Sequence, residues 1–301
     1  MSASGPLDIS TASLDRFLAG NLEDPAFAGA VADRAGLSEP DAADLLSDLA
    51  SEARLACRML AEVRPVREDR ILEVGAGAGV LAAFLHERGA NLLAIEPIVD
   101  GYESFMAVRS LLSERASLPV IEPLRAEQLS PTEHGQFDLI FSVNVLEHMR
   151  PLEPNLDALA AVLAPGGRMV HTCPNYRVPY EPHYRIALVP GRPALTRHIA
   201  RRAAREPVWD SLNWIAAGDV ERFADRHGLR LEFRQGQLAS ALQRLRHDPA
   251  FARRQRGPVV GALRVLDKVG VTGLLGRIPA TWMTPMTFTI TRPGRPNRSN
   301  H

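Results

Sequence analysis

Apolar residues recur along the chain with two different periods. From Ser38, the stretch SEPDAADLLSDLASEARLACRMLAEV spaces Leu45, Leu46, Leu49, Ala53, Ala56, Met59 and Leu60 at helical intervals, with Ser38 placed as the cap. Residues 1–69 therefore read as helical. Beyond residue 70, short apolar runs take over: RILEVGA, NLLAIEP, PVIEP, FDLIFSV and GRMVHTCP. Between them lie the helical stretches GVLAAFLHERG, YESFMAVRSLLSER and LEPNLDALAAVLAPGG. Strands alternating with helices of this length predict a parallel α/β sheet with right-handed crossovers.

The rhythm breaks after Pro174. NYRVPYEPHYRIALVPGRP is rich in proline and aromatics and reads as an ordered loop, and an arginine-rich helical stretch is expected over 194–205. AAGDVERFADRHGLRLEFRQ reads as a helix capped near Asp219, ended at Gly228 and followed by a strand. Residues 237–280 read as mostly helical, and MTFTITRP supplies a last strand. The expected organisation is an N-terminal helical extension over 1–69 and one α/β domain over 70–293. That domain carries insertions at about 176–215 and 237–280, and a disordered tail follows over 294–301.

Composition narrows the class only a little. An apolar share of 46% and a charged share of 23% are ordinary for a globular protein. No apolar run nears the roughly 20 residues that span a bilayer. The start MSASGPLDISTASLDRF lacks the basic and apolar regions of a secretory signal, so a cytoplasmic location is expected. Cys57 and Cys173 are too few for a disulfide framework and lack metal-ligand spacing. The zero net charge conceals a gradient: residues 1–69 carry 13 acidic groups against 6 arginines, and residues 185–256 carry 15 arginines against 7 acidic groups. The basic segment reads either as a solvated partner for the acidic N-terminal region, within the chain or across a homodimer, or as a lid making peripheral contact with anionic lipid or a phosphate-bearing acceptor.

The chemistry concentrates behind the first strand. Gly75, Gly77 and Gly79 alternate in LEVGAGAG, a turn that lets a ligand approach backbone ahead of a helix N-terminus. A dinucleotide turn needs Gly or Ala where Val80 stands. Glu96, 21 residues after Gly75, ends the second strand and suits the two hydroxyls of a ribose.

In order and at the expected intervals, LEVGAGAG, AIEP, RAEQL, FDLIFSVNVLEHM and LAPGGRMV resemble the class I S-adenosylmethionine-dependent methyltransferases. That resemblance implies a Rossmann-like, seven-stranded, mostly parallel sheet with helices on both faces, an N-terminal helical extension and helical insertions near the C-terminus. It implies S-adenosyl-L-methionine as cofactor. Glu73, Gly75, Ala76, Gly77 and Gly79 would face its methionine part, Glu96 and Pro97 its ribose, Ala126 and Glu127 its adenine, with Asn144 beside the sulfonium. Where this family often has Asp before Ala126, the chain has Arg125, which offers no acceptor, so the adenine contact is absent or shifts to Glu127 or a backbone carbonyl.

For the acceptor, Asn144, Glu147 and His148 share a face if a helical turn follows the fourth strand. His148 then reads as a general base or as a residue that orders the loop, and Glu147 divides in the same way. The LEH end resembles ubiquinone-biosynthesis O-methyltransferases, which add a Glu one turn earlier and can hold a divalent metal. Asn144 occupies that position here, so no metal is expected. Tyr176, Tyr180, Glu181, His183 and Tyr184 crowd the next loop, with His183 as an alternative base. The expected reaction is methyl transfer to a small-molecule, sugar or lipid-linked acceptor at oxygen. The alternatives are N-methylation of a sugar, peptide or natural product, and a non-catalytic partner subunit. A nucleic-acid acceptor is not expected, because SVNV stands where amino-directed DNA enzymes carry an NPPY-type motif.

Overall fold

The computed structural model describes residues 5–98, 101–201, 203–205, 207–236 and 278–294. The N-terminal region forms helices α1 (Thr11–Asn21), α2 (Pro25–Ala35) and α3 (Glu39–Val63). Each begins where a short polar side chain accepts a first-turn amide: Ser10 from Ser13, Asp24 from Ala26, Ser38 from Asp41. One face of α3 is buried through Leu46, Leu49, Ala53, Cys57 and Leu60, as the helical spacing requires.

Seven strands follow: β1 (Arg70–Val74), β2 (Asn91–Ile95), β3 (Ile121–Glu122), β4 (Phe137–Val143), β5 (Leu163–Cys173), β8 (Arg230–Phe233) and β9 (Met286–Thr291). Between β5 and β8 a two-stranded ribbon of β6 (Tyr180–Glu181) and β7 (Ile186–Ala187) stands apart. The main sheet runs β3-β2-β1-β4-β5-β9-β8; its first five strands are parallel, and β9 lies antiparallel to both β5 and β8. Helices α4 (Val80–Glu87), α5 (Glu103–Leu112), α6 (Pro131–His134), α7 (Leu152–Val162), α8 (Pro207–Ser211) and α9 (Ala217–Arg226) complete the described helical elements.

Strand residues alternate between two cores. Ile71, Leu139 and Phe141 join the cluster formed with the N-terminal helices, α4 and α5, whereas Leu72, Val74 and Ile140 join the cluster containing α7 and α9. The order of strands reverses between β1 and β4, so their carboxyl ends frame the crevice where ligands bind in open α/β sheets.

Two expectations change. The arginine-rich stretch forms 3-10 turns over Pro193–His198 and Ala203–Arg205, not a helix across 194–205. Pro193 opens the first turn, and the Thr196 hydroxyl folds the segment back by accepting the Val189 amide at 2.9 Å. Asp219 sits at the third position of α9, where its carboxylate accepts the Ala216 amide at 2.8 Å, so it closes the helix start from within. Most of 237–280, and the tail from 295, lie outside the described residues. Among the described residues, no helix is long and apolar enough to cross a membrane.

Candidate active site

Between β1 and α4 the chain turns through three glycines with positive φ: 75° at Gly75, 53° at Gly77 and 79° at Gly79. A Cβ on Gly75 would fall 2.3 Å from Val145 Cγ2, so the turn is fixed by sterics as well as by torsion. The amides of Gly75 and Ala76 donate to the Ile95 carbonyl at 2.9 and 3.0 Å, locking the turn against the end of β2. There Glu96 Oε2 accepts the Gly77 amide at 2.8 Å, and the Arg109 guanidinium donates to the Gly77 carbonyl. Burial lifts the Glu96 carboxyl above its ordinary range, against the Gly77 bond and the Arg109 charge.

Below the turn, Glu73 is buried in β1 and its Oε2 has no hydrogen-bond partner. Burial, with the charge of Glu96 adding, pushes its carboxyl up to about 8. A buried acceptor atom without a donor, beside glycines held open, fits a ligand that brings a cationic amine. Glu96, Pro97, Tyr102 and Phe105 wall a narrow cleft of about 30 Å³ over Gly77. Ala126 is buried in a 3-10 turn with Glu127, whose Oε2 accepts from Asn155 Nδ2 at 2.6 Å, so one oxygen of the adenine candidate is already engaged.

Asn144 does not join a helical turn. It follows β4 directly, in the left-handed region at φ 54°, and its side-chain amide donates to Glu52 Oε1 at 2.8 Å. The turn that does form is 3-10 over Leu146–His148. It brings Glu147 and His148 together, and the loop after β5 adds His183, the two imidazole centroids lying 5.3 Å apart. Glu147 is fully buried with neither carboxylate oxygen partnered; burial pushes it up to about 8.

The hydrogen bonds fix the tautomer of His148. Ser211 Oγ lies 2.7 Å from His148 Nδ1 and 2.7 Å from the Val208 carbonyl. A hydroxyl has one proton, and the carbonyl can only accept it, so Nδ1 must donate to Oγ and Nε2 keeps a lone pair. Burial, then the neighbouring His183, hold this imidazole down to about 4. His183 has a different anchor. Its Nδ1 lies 2.6 Å from Oε1 of Glu181, a fully buried carboxylate that also accepts from Tyr176 Oη and the Tyr184 amide. Burial works against its charge, but the Glu181 bond and charge outweigh it and raise its pKa.

Beyond His183 opens a cavity of about 810 Å³. Tyr184, Ile186, Ile199, Ala203 and Val208 line it, with Arg201 beside them. Glu52 and Ser211 were not singled out by sequence, and Glu181 was named only as part of the aromatic loop. Glu181 alone carried a signal, two residues before His183 in the aromatic loop.

Residues 44–250 match the family described as a methyltransferase domain. An uncharacterized protein of Mycobacterium tuberculosis (strain ATCC 25618 / H37Rv) is 34% identical over 260 residues, covering 81% of this chain and 86% of its own length. A tRNA U34 carboxymethyltransferase of Ruthia magnifica subsp. Calyptogena magnifica is 29% identical over 114 residues, covering 38% of this chain and 35% of that protein. A ubiquinone biosynthesis O-methyltransferase of Xylella fastidiosa (strain 9a5c) is 34% identical over 107 residues, covering 35% and 42%.

Proposed function

We propose that this chain, which belongs to the methyltransferase domain family, takes S-adenosylmethionine as its methyl donor and methylates a hydroxyl oxygen on a small acceptor with an apolar body. When bound, the cofactor supplies an electrophilic methyl on a sulfonium. Gly75, Ala76, Gly77 and Gly79 would take its methionine part against backbone, Glu73 its ammonium, Glu96 and Pro97 its ribose, and Ala126 with Glu127 its adenine. Asn144, held by Glu52, would close the sulfonium side. Phe105 and Arg109 now narrow that cleft, so binding exchanges the Gly77–Glu96 and Gly77–Arg109 bonds for bonds to the ligand.

One observation carries the acceptor reading. The Ser211 hydroxyl commits His148 to the tautomer whose Nε2 lone pair lies beside Glu147 and His183, where an acceptor hydroxyl must shed its proton. The apolar cavity next to His183 suits the body of a lipid-linked or aromatic acceptor, and Arg201 suits an anionic group on it. His148, Glu147 and His183 are therefore the residues that activate the acceptor. Methyl-labelled cofactor incubated with lipid, phenol and glycoside extracts tests this. Label in alkali-stable ethers of apolar alcohols or phenols is expected; label confined to amines or to RNA overturns it.

A further inference from the structure

Two imidazoles and a bare carboxylate meet at the acceptor end of the site. Each imidazole is anchored from behind. His148 Nδ1 donates to Ser211 Oγ, and His183 Nδ1 is held at 2.6 Å by buried Glu181, so both rings offer Nε2 forward. Glu147, fully buried, has no hydrogen-bond partner for either carboxylate oxygen, and His148 Nε2 lies 4.0 Å from its Oε1. One ligating atom from each of the three residues lies within 4.8 Å of the other two. A buried carboxyl with no donor keeps its proton unless a cation displaces it. Imidazoles fixed through Nδ1 by a carboxylate or a hydroxyl are the arrangement that orients metal ligands.

We infer that Glu147, His148 and His183 bind one divalent transition-metal ion, leaving coordination positions open to the acceptor hydroxyl. Two nitrogens and one oxygen select zinc-, cobalt- or manganese-like ions over calcium or magnesium. Ligand atoms about 2.1 Å from a tetrahedral ion stand roughly 3.4 Å apart, so the three side chains close on it by small rotations. Asn144 takes no part, being bonded to Glu52; the third ligand comes instead from the loop after β5. The inference rests on the proposed hydroxyl acceptor for its purpose. With an ion held by Glu147, His148 and His183, the His148 Nε2 lone pair would be a ligand rather than the base; the ion would supply the Lewis acidity that acidifies the acceptor hydroxyl, whose proton would pass to solvent water.

Cobalt chloride added to the chelator-treated full-length protein, without acceptor, tests the site by the visible ligand-field bands of bound Co²⁺. Calorimetry with zinc chloride gives the stoichiometry. One equivalent should bind. His183→Ala and the isosteric Glu147→Gln should each weaken it about 10- to 100-fold, with S-adenosylmethionine binding and far-ultraviolet dichroism unchanged. Ser211→Ala should weaken it less. Absence of stoichiometric binding, or binding that survives both His183→Ala and Glu147→Gln, overturns the inference. If no ion binds yet His148→Ala abolishes methyl transfer, the metal falls and the hydroxyl reading stands. If one ion binds but only amines are methylated, the site stands and the hydroxyl reading falls.

Discussion

The donor and acceptor ends of this site are built in opposite ways. The proposed donor end lies mostly within one stretch, from Glu73 in β1 through the glycine turn to Glu96 and Pro97, joined by Ala126, Glu127 and Asn144 from further along, and much of that stretch is backbone: amides, carbonyls and the torsions only glycine adopts without strain. The acceptor end draws side chains from separated segments, Glu147 and His148 after β4, Glu181 and His183 after β5, and Ser211 in α8. Backbone recognition is local, tolerant of neighbouring sequence and suited to a ligand many proteins share. Side-chain recognition assembled over long range can change one residue at a time, which suits the half that distinguishes one acceptor from another.

That contrast can be broken from either side. His148→Ala should lower kcat by about 10²- to 10⁴-fold while the dissociation constant for S-adenosylmethionine, read by calorimetry, stays within about twofold; a parallel loss of cofactor affinity would mean the two ends are not separable. Gly75→Ala should do the reverse, weakening cofactor by roughly 100-fold because its Cβ meets Val145 and φ is 75°. Retained affinity there would show that the turn relaxes. Ser211→Ala should cost about tenfold in kcat by freeing the His148 ring, with partial recovery in Ser211→Thr and no change in cofactor affinity.

A further effect concerns stability rather than turnover. Glu73 sits at about 8 in the fold against an ordinary 4.5, so the unfolded chain releases its proton first as pH rises. In the cofactor-free protein Glu73 by itself therefore removes stability as pH rises between 4.5 and 8, by at most about 1.4 kcal/mol per pH unit. Glu73→Gln should reduce the overall slope without abolishing it, because Glu147 is raised to about 8 as well; the melting temperature should drift by about 2–4 °C less per unit.

Legibility in the sequence follows the same division. The strand–helix rhythm and the glycine turn were readable because both are local: period, punctuation and torsional demand sit within a dozen residues. The helix over 194–205 was misread because arginine spacing resembles a helical face, whereas Pro193 and the Thr196 hydroxyl favour tight turns. Glu52 was invisible for another reason. On α3 it looks like any polar residue on an amphipathic helix, and only the fold brings Asn144 to it. Ser211 likewise gains meaning only from its position behind His148. Glu147 and His148 were legible as residue types, but the tautomer that gives His148 its lone pair is a property of three dimensions.

Helix α3 has a mechanical consequence. At 25 residues it is a rod about 37 Å long. Glu52, near its middle, is tied to the end of β4 through Asn144, and Glu62, near its C-terminus, pairs with Arg234 just past β8. A stiff brace pinned at two distant strands of one sheet resists shear and hinge opening between them. Both pins are exposed polar contacts, so each adds little by itself; together they stiffen the sheet and leave the mobile walls of the site at its sides, the short helix carrying Phe105 and Arg109 on one side and the ribbon and turns around Ile199 on the other.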